Sequence, residues 1–372
     1  MHFAISKGAY MKKMVINGDS IFIQSALDGV RELGGKAYIP CGEYTVDKTV
    51  IVDTPSSCLE GECWAYSSDP NGVFEAQCGT KLRLCGNGHS AISVGVNALA
   101  AGVCITSLGV QGDIKGMDTR PLINTENISA ASGLHFGAAR IDQGEFSKLS
   151  FCGLGTGICA EGTAELDACT FSRINTDGCG IGIYFAPRSS YYTQFKDSIV
   201  ADTPSYGFYA NGSAARMFNI VLSNMTFVRN CGSNPTGLGV DAAVYLKDVA
   251  SFILRDNLFD SPGTFWYYSA SATKNEERKP TTVAAAGLML EGNKCRILQN
   301  IFTHSSCESI RVTGHQNILM CNISDGDVII EGRDNTVVDH VFTSADARLI
   351  LKGDAAQSTV VVGVPESRIV RE

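Results

Sequence analysis

Over most of this chain a short phrase recurs: a small residue, an apolar one, a variable one, another apolar one, and then a turn. It reads Gly133-Leu134-His135-Phe136, Gly157-Ile158-Cys159-Ala160, Gly182-Ile183-Tyr184-Phe185, Gly207-Phe208-Tyr209-Ala210 and Ala243-Val244-Tyr245-Leu246. It continues as Gly287-Leu288-Met289-Leu290, Ser309-Ile310-Arg311-Val312, Asp327-Val328-Ile329-Ile330 and Arg348-Leu349-Ile350-Leu351. Each phrase is too short for a helix and alternates with period two, so the two apolar side chains enter a core and the residue between them faces out. The starts are separated by 24, 25, 25, 36, 44, 22, 18 and 21 residues, so each interval is one coil of a solenoid and two of them carry insertions. Turn pairs such as Asn211-Gly212, Glu291-Gly292, Thr313-Gly314 and Glu331-Gly332 close many of the phrases, as Gly supports tight reversals.

The pattern predicts an all-β, right-handed parallel β-helix occupying residues 1–372 as one domain, with regular rungs over 133–370 and loop insertions at 229–241 and 260–284. A second strand in each coil ends near Asn224, Asn257, Asn300 or Asn322, positions at which stacked amides can pass hydrogen bonds from rung to rung. Residues 19–35 open the fold. Ile21, Ile23, Ala26, Leu27, Val30 and Leu33 recur at helical spacing before Gly34-Gly35, which predicts a helix that covers the open first rung. Between Asp53 and Asn127 the repeat is irregular, and 112–127 reads as a surface excursion.

Composition changes this picture little. A formal charge of −8 with scattered Lys and Arg argues against nucleic acid, which requires a basic stripe. No apolar run is long enough to span a membrane, and the opening residues lack a leader pattern, so the expectation is a soluble, cytoplasmic protein. Fourteen cysteines without a CxxC pair read as reduced core or wall residues, Cys159, Cys169, Cys295 and Cys321 among them. Six histidines without ligand spacing predict no metal and no cofactor.

The order of cap helix, Gly-Gly turn and strand ending in Pro40-Cys41-Gly42-Glu43-Tyr44 resembles the pectate-lyase-like superfamily of right-handed parallel β-helices over nearly the whole chain. That resemblance implies a fold shared by hydrolases, lyases, epimerases and adhesins. The rungs from Gly287 to Ile369 also resemble, in phrase order, the inulin fructotransferase and difructose-anhydride hydrolase family. The catalytic Asp and Glu of that family fall on Lys148 and Cys159, so the resemblance carries the fold and not the site. Asn175-Thr176-Asp177-Gly178 matches the first motif of polygalacturonases, whose remaining motifs are absent.

Candidate chemistry follows from the rung alignment. The residues facing out are His135, Cys159, Tyr184, Tyr209, Tyr245, Met289, Arg311, Ile329 and Ile350. Three successive tyrosines form a platform suited to sugar rings, while Ile329 and Ile350 are assigned to a subunit contact, with a homotrimer implied by the resemblance. Asp177 and Asp202 each lie five residues before a phrase, so they are expected at equivalent places on adjacent rungs, about 4.8 Å apart. Such a pair suits acid and nucleophile roles on a glycosidic bond, and Asp241 is a third candidate. Arg188, Trp266 and Tyr267, with His135, Arg311 and the tyrosines, complete the expected binding residues for an oligosaccharide or polysaccharide. The alternatives are a lyase on an acidic polymer, with Asp177, Asp202 and Asp241 caging calcium and Arg188 or Arg311 as base, and a non-catalytic trimeric solenoid.

Overall fold

A computed structural model describes residues 13–15, 20–32, 34–64, 79–112, 129–213, 216–230, 242–267 and 279–372. All nine phrases are strands of one parallel sheet of twelve, which runs from Val50–Val52 to Ile369–Arg371. Leu134, Ile158, Ile183, Phe208, Val244, Leu288, Ile310, Val328 and Leu349 form one inward row, and every one of them is fully buried. The pairing also extends into the part of the chain whose repeat is irregular. Val50–Val52 pairs with Ile92–Val94, which pairs with Ser132–Phe136, so coils begin well before Gly133.

A second sheet of nineteen strands and a third of five short ones complete the coil. Together they make a right-handed parallel β-helix. The eight-residue strands Cys104–Gln111, Glu145–Cys152, Thr170–Asp177, Gln194–Ala201 and Val221–Val228 lie side by side in register. Each bends in its middle at one left-handed residue, and Ser107, Lys148, Arg173, Asp197, Asn224, Asp256, Gln299, Cys321 and Asp339 form that column with φ of 49–61°. Inside the bend, Phe146, Phe171 and Phe195 stack with centroids 4.8 and 4.5 Å apart, as do Phe259 and Phe302 at 4.3 Å. Identical side chains one rung apart thus fill the core with aromatic columns.

The asparagine ladder is present with one member changed. Asn300 Oδ1 accepts from the backbone and side-chain amides of Asn257, and Asn322 Oδ1 accepts from those of Asn300. Asn224 sits one residue earlier, in the exposed left-handed column, and donates to Asp197 Oδ1 at 2.8 Å. Met225 takes the ladder position instead. A second ladder, in which Asn335 accepts from Asn317 and Asn317 accepts from Cys295, was not evident from the sequence.

The first helix spans Ser20–Gly29, shorter than the expected 19–35. Its buried residues Ile23, Ala26 and Leu27 join the main core. Gln24 also donates to Ile51 O and accepts from Ile51 N, so an amide side chain satisfies the open edge of the first strand of the twelve-stranded sheet. No helix among the described residues is long and apolar enough to cross a membrane.

Cys159, Cys169 and Cys295 are buried free thiols, as expected. Cys321 is not a core residue: it is exposed at the left-handed bend, since the bend turns its side chain away from the coil.

Candidate functional site

The site begins at the corner where the nineteen-stranded sheet gives way to the twelve-stranded one. The chain crosses this corner from Gln111 to Ser132, from Val228 to Ala242 and from Asp260 to Ala286; of the expected insertions 229–241 and 260–284, residues 231–241 and 268–278 lie outside the described residues. Asp241 lies outside the described residues.

The two aspartates are on adjacent rungs but not at equivalent places. Asp177 pairs with Ala201, so Asp202 stands one residue further along. Counting back from the apolar phrases misplaced it because the turn from Ala201 to Gly207 is one residue longer than the turn from Asp177 to Gly182. Asp202 is the successor of Gly153 and Gly178 in a second left-handed column, which continues through Arg229, Ser261 and His304. Aspartate tolerates this backbone better than most residues. The diagonal offset of one rung and one residue separates the two Cα atoms by roughly 6 Å.

Their environments differ. Asp202 is 3% exposed and is gripped by Arg229, Nε to Oδ1 at 2.6 Å and Nη2 to Oδ2 at 2.5 Å. Below it Asn230 accepts from Thr203 Oγ1 and donates to Val200 O, so the turn rests on a satisfied polar base. Asp177 has a buried Oδ1 with no hydrogen-bond partner among the described residues. Burial, then the nearby Asp202 charge, pushes its pKa well above the usual carboxylate range, against a smaller pull from Arg229. One carboxyl is therefore pushed toward its protonated form beside one that is ion-paired, the asymmetry that acid–base chemistry requires.

More unpaired polar atoms lie on the same side of these strands. Asn175, two residues before Asp177, has a buried Nδ2 without a partner, and Ser150, its register partner on the preceding rung, has a buried Oγ without one. Three unmatched polar groups in one patch are costly in a protein of this kind unless they serve a ligand. Two rungs further on, Asp260 accepts from the exposed His304 Nδ1 at 2.8 Å. Burial alone would raise the Asp260 pKa, but the His304 contact and neighbouring hydroxyls hold it below the usual value, and Asp260 raises that of His304. Ser150, Arg229 and Asp260 have no motif spacing and only the rung register reveals them, while Asn175 lay within the Asn175-Thr176-Asp177-Gly178 match but was not read as a site residue.

The tyrosines share a register column, but they do not form an open platform. Tyr184 and Tyr209 stack at 5.2 Å, and Tyr245 meets Tyr209 edge-on at 5.5 Å. Tyr209 and Tyr245 are only 2% and 3% exposed and belong to a second apolar cluster with Tyr206, Ile181, Ala242, Ala286 and Met289. Alternation fixes the side of the sheet from which a ring leaves, but it does not fix what lies on that side. Tyr206, from the turn after Asp202, packs against both rings.

The remaining candidates are dispersed. His135 keeps the same column, with Nδ1 3.1 Å from Ser93 Oγ and Nε2 3.7 Å from Glu161. Arg311 is held between Glu308 and Glu331, and Arg188 is exposed beside Glu165 on the five-stranded sheet, so neither is at the corner to act as a base. Trp266 and Tyr267 lie in a strand, Thr264–Tyr267, that pairs antiparallel with Lys279–Thr282, and their side chains lie outside the described residues. Ile329 and Ile350 are half-buried, whereas Ile301, Ile318, Met320, Val341, Val360 and Val362 on the nineteen-stranded sheet are more exposed.

No protein-family model matches the chain, and no curated protein matches it either. Solved structures do. The crystal structure of DFA-IIIase from Arthrobacter chlorophenolicus A6 without its lid in complex with GF2 superposes with a TM-score of 0.64 at 14% identity, over 94% of this chain and 92% of that one. The same enzyme without its lid gives 0.62 at 14% identity, over 95% of each chain. ORF18 of Geobacillus virus E2 gives 0.51 at 14% identity, over 93% of this chain and 57% of that one. At such identities the likeness is one of fold, and the chain shares the parallel β-helix of DFA-IIIase.

Proposed function

We propose that this chain is a carbohydrate-active enzyme that cleaves a glycosidic bond at the corner formed by Asp177, Asp202 and Arg229. One observation carries the reading: Asp177, whose pKa burial raises, stands beside an ion-paired Asp202, on a patch with unpaired Asn175 and Ser150. The shared fold with DFA-IIIase, whose structures hold GF2 or DFA-III, supports a sugar substrate.

In this reading Asp177 donates its proton to the leaving oxygen. Asp202 supplies the negative charge that faces the developing oxocarbenium ion. The grip of Arg229 fits Asp202 for positioning and charge stabilisation more than for attack, because both carboxylate oxygens are engaged. The Asn175 amide and the Ser150 hydroxyl are donors for sugar hydroxyls.

The test is hydrolysis of fructo-, galacturono- and xylo-oligosaccharides by the wild type, Asp177→Asn and Asp202→Asn, followed by chromatography. A loss of about 10²-fold or more in Asp177→Asn with unchanged folding is expected for a proton donor. Full activity in both variants would reject the site. A product absorbing in the ultraviolet would instead identify a lyase.

A further inference from the structure

The outer face of the nineteen-stranded sheet carries a groove of about 460 Å³ at the bend of its long strands. It is lined by side chains from neighbouring strands in register. Thr106, Ser147 and Ser172 are successive partners in one row, and Thr106 Oγ1 and Ser147 Oγ are 3.0 Å apart. Lys196 follows Ser172 in that row, and Lys148 and Arg173 occupy the adjacent left-handed column.

Two local rules are broken here together. Lys148 and Arg173 hold φ of 52° and 54°, in a column that Ser107, Asp197, Asn224, Asp256, Gln299, Cys321 and Asp339 complete in other coils; a left-handed backbone favours Asn, Asp and Gly, so a long cationic side chain costs more there than Asn would. Stacked one rung apart, about 4.8 Å along the solenoid, Lys148 and Arg173 also repel one another. Lys148, Arg173 and Lys196 form no ion pair among the described residues. Of the carboxylates in the groove, Asp197 accepts from Asn224, and Glu145, two residues before Ser147 on the same strand, is exposed and forms no ion pair among the described residues. A chain with a net charge of −8 has thus gathered three unpaired cations around a row of hydroxyls, at some cost to its own stability. Local conflicts of this kind concentrate where a ligand is bound.

We infer that this groove binds an anionic oligosaccharide. Its carboxylates or sulfates meet Lys148, Arg173 and Lys196, and its ring hydroxyls meet Thr106, Ser147 and Ser172. The volume suits a ligand of a few sugar units. The assignment goes beyond bond cleavage at Asp177 and does not depend on it, because it is read by binding.

Calorimetry with oligogalacturonate, a sulfated oligosaccharide and a neutral fructo-oligosaccharide tests it, using the wild type, Asp177→Asn and the double variant Lys148→Asn/Arg173→Asn. Asn is at home in the left-handed backbone, so the double variant should unfold at the same or a higher temperature while its affinity for the anionic sugar falls about tenfold or more. Wild-type binding should weaken as salt is raised, and the binding that remains in Asp177→Asn should weaken with salt in the same way. Preference between the carboxylated and sulfated ligands identifies the anion. Unchanged affinity in the double variant, or equal binding of the neutral sugar, would overturn the inference.

Discussion

Arg229 closes on Asp202 from the next rung with two hydrogen bonds, and the carboxylate it holds is 4% exposed while its own guanidinium is 35% exposed. Removing the arginine leaves a buried anion with its partner gone. Arg229→Ala is expected to cost about 3 kcal/mol. Adding Asp202→Asn to it should recover part of that loss, because the unpaired charge is then removed as well. Urea unfolding of the two single variants and the double variant measures the coupling, and simple additivity would show that the pair does not act as a unit.

Asp177 gives stability a pH dependence of defined sign. Its pKa is raised in the folded state, so between the unfolded carboxyl value and the folded one the native chain binds a proton that the unfolded chain has released. Its contribution is complete at low pH and is lost as pH rises through the folded pKa. Asp177→Asn cannot ionise. Its stability, relative to the wild type, should therefore improve steadily from about pH 4 upward. Thermal unfolding across pH 4–9 reads this difference, and a constant offset at all pH values would show that Asp177 is ionised in the fold.

Asn300 is fully buried and serves four bonds, to the backbone and side chain of Asn257, to Asn322 and to Leu254 O. Asn300→Ala should lower stability by about 3 kcal/mol, since it orphans the backbone N–H of Asn257 and one proton of its side-chain amide in the core. The exposed Asn224→Ala, which loses one surface bond, should cost about 1 kcal/mol or less. Equal losses would mean that the ladder adds nothing beyond a surface contact.

At the turns, neighbouring coils meet without room for a side chain. A Cβ on Gly314 would lie 1.7 Å from Gly292 O, whereas one on Gly353 meets nothing within 4 Å, although its φ is +57°. Gly314→Ala should cost about 3 kcal/mol through steric overlap. Gly353→Ala should cost about 1 kcal/mol through backbone strain alone. Chemical denaturation of the two variants separates these causes, and a larger loss at Gly353 would contradict the stacking of the turns.

The nine phrases each became a strand of one sheet, and Leu134 through Leu349 lined its core, because alternation over four residues is a local property that needs no knowledge of neighbours. The cap helix was legible for the same reason, though it ends at Gly29. Asp177 and Asp202 were read as close, which they are, but their offset of one residue depends on how each turn closes. Arg229 and Ser150 carried no signal at all, and Asn175 only its place in the Asn175-Thr176-Asp177-Gly178 match, since their roles come from residues one coil away.

The tyrosines mark the same limit from the other side. Their column was predicted and is present, yet Tyr209 and Tyr245 are buried beneath Tyr206 rather than open to a ligand. Periodicity by itself determined which side chains enter the coil and which leave it, because pleating repeats every two residues whatever surrounds it. Only the tertiary structure decided what the outward residues meet. Their partners come from coils tens of residues away in the sequence, and the lengths of the intervening turns set the register that brings them together.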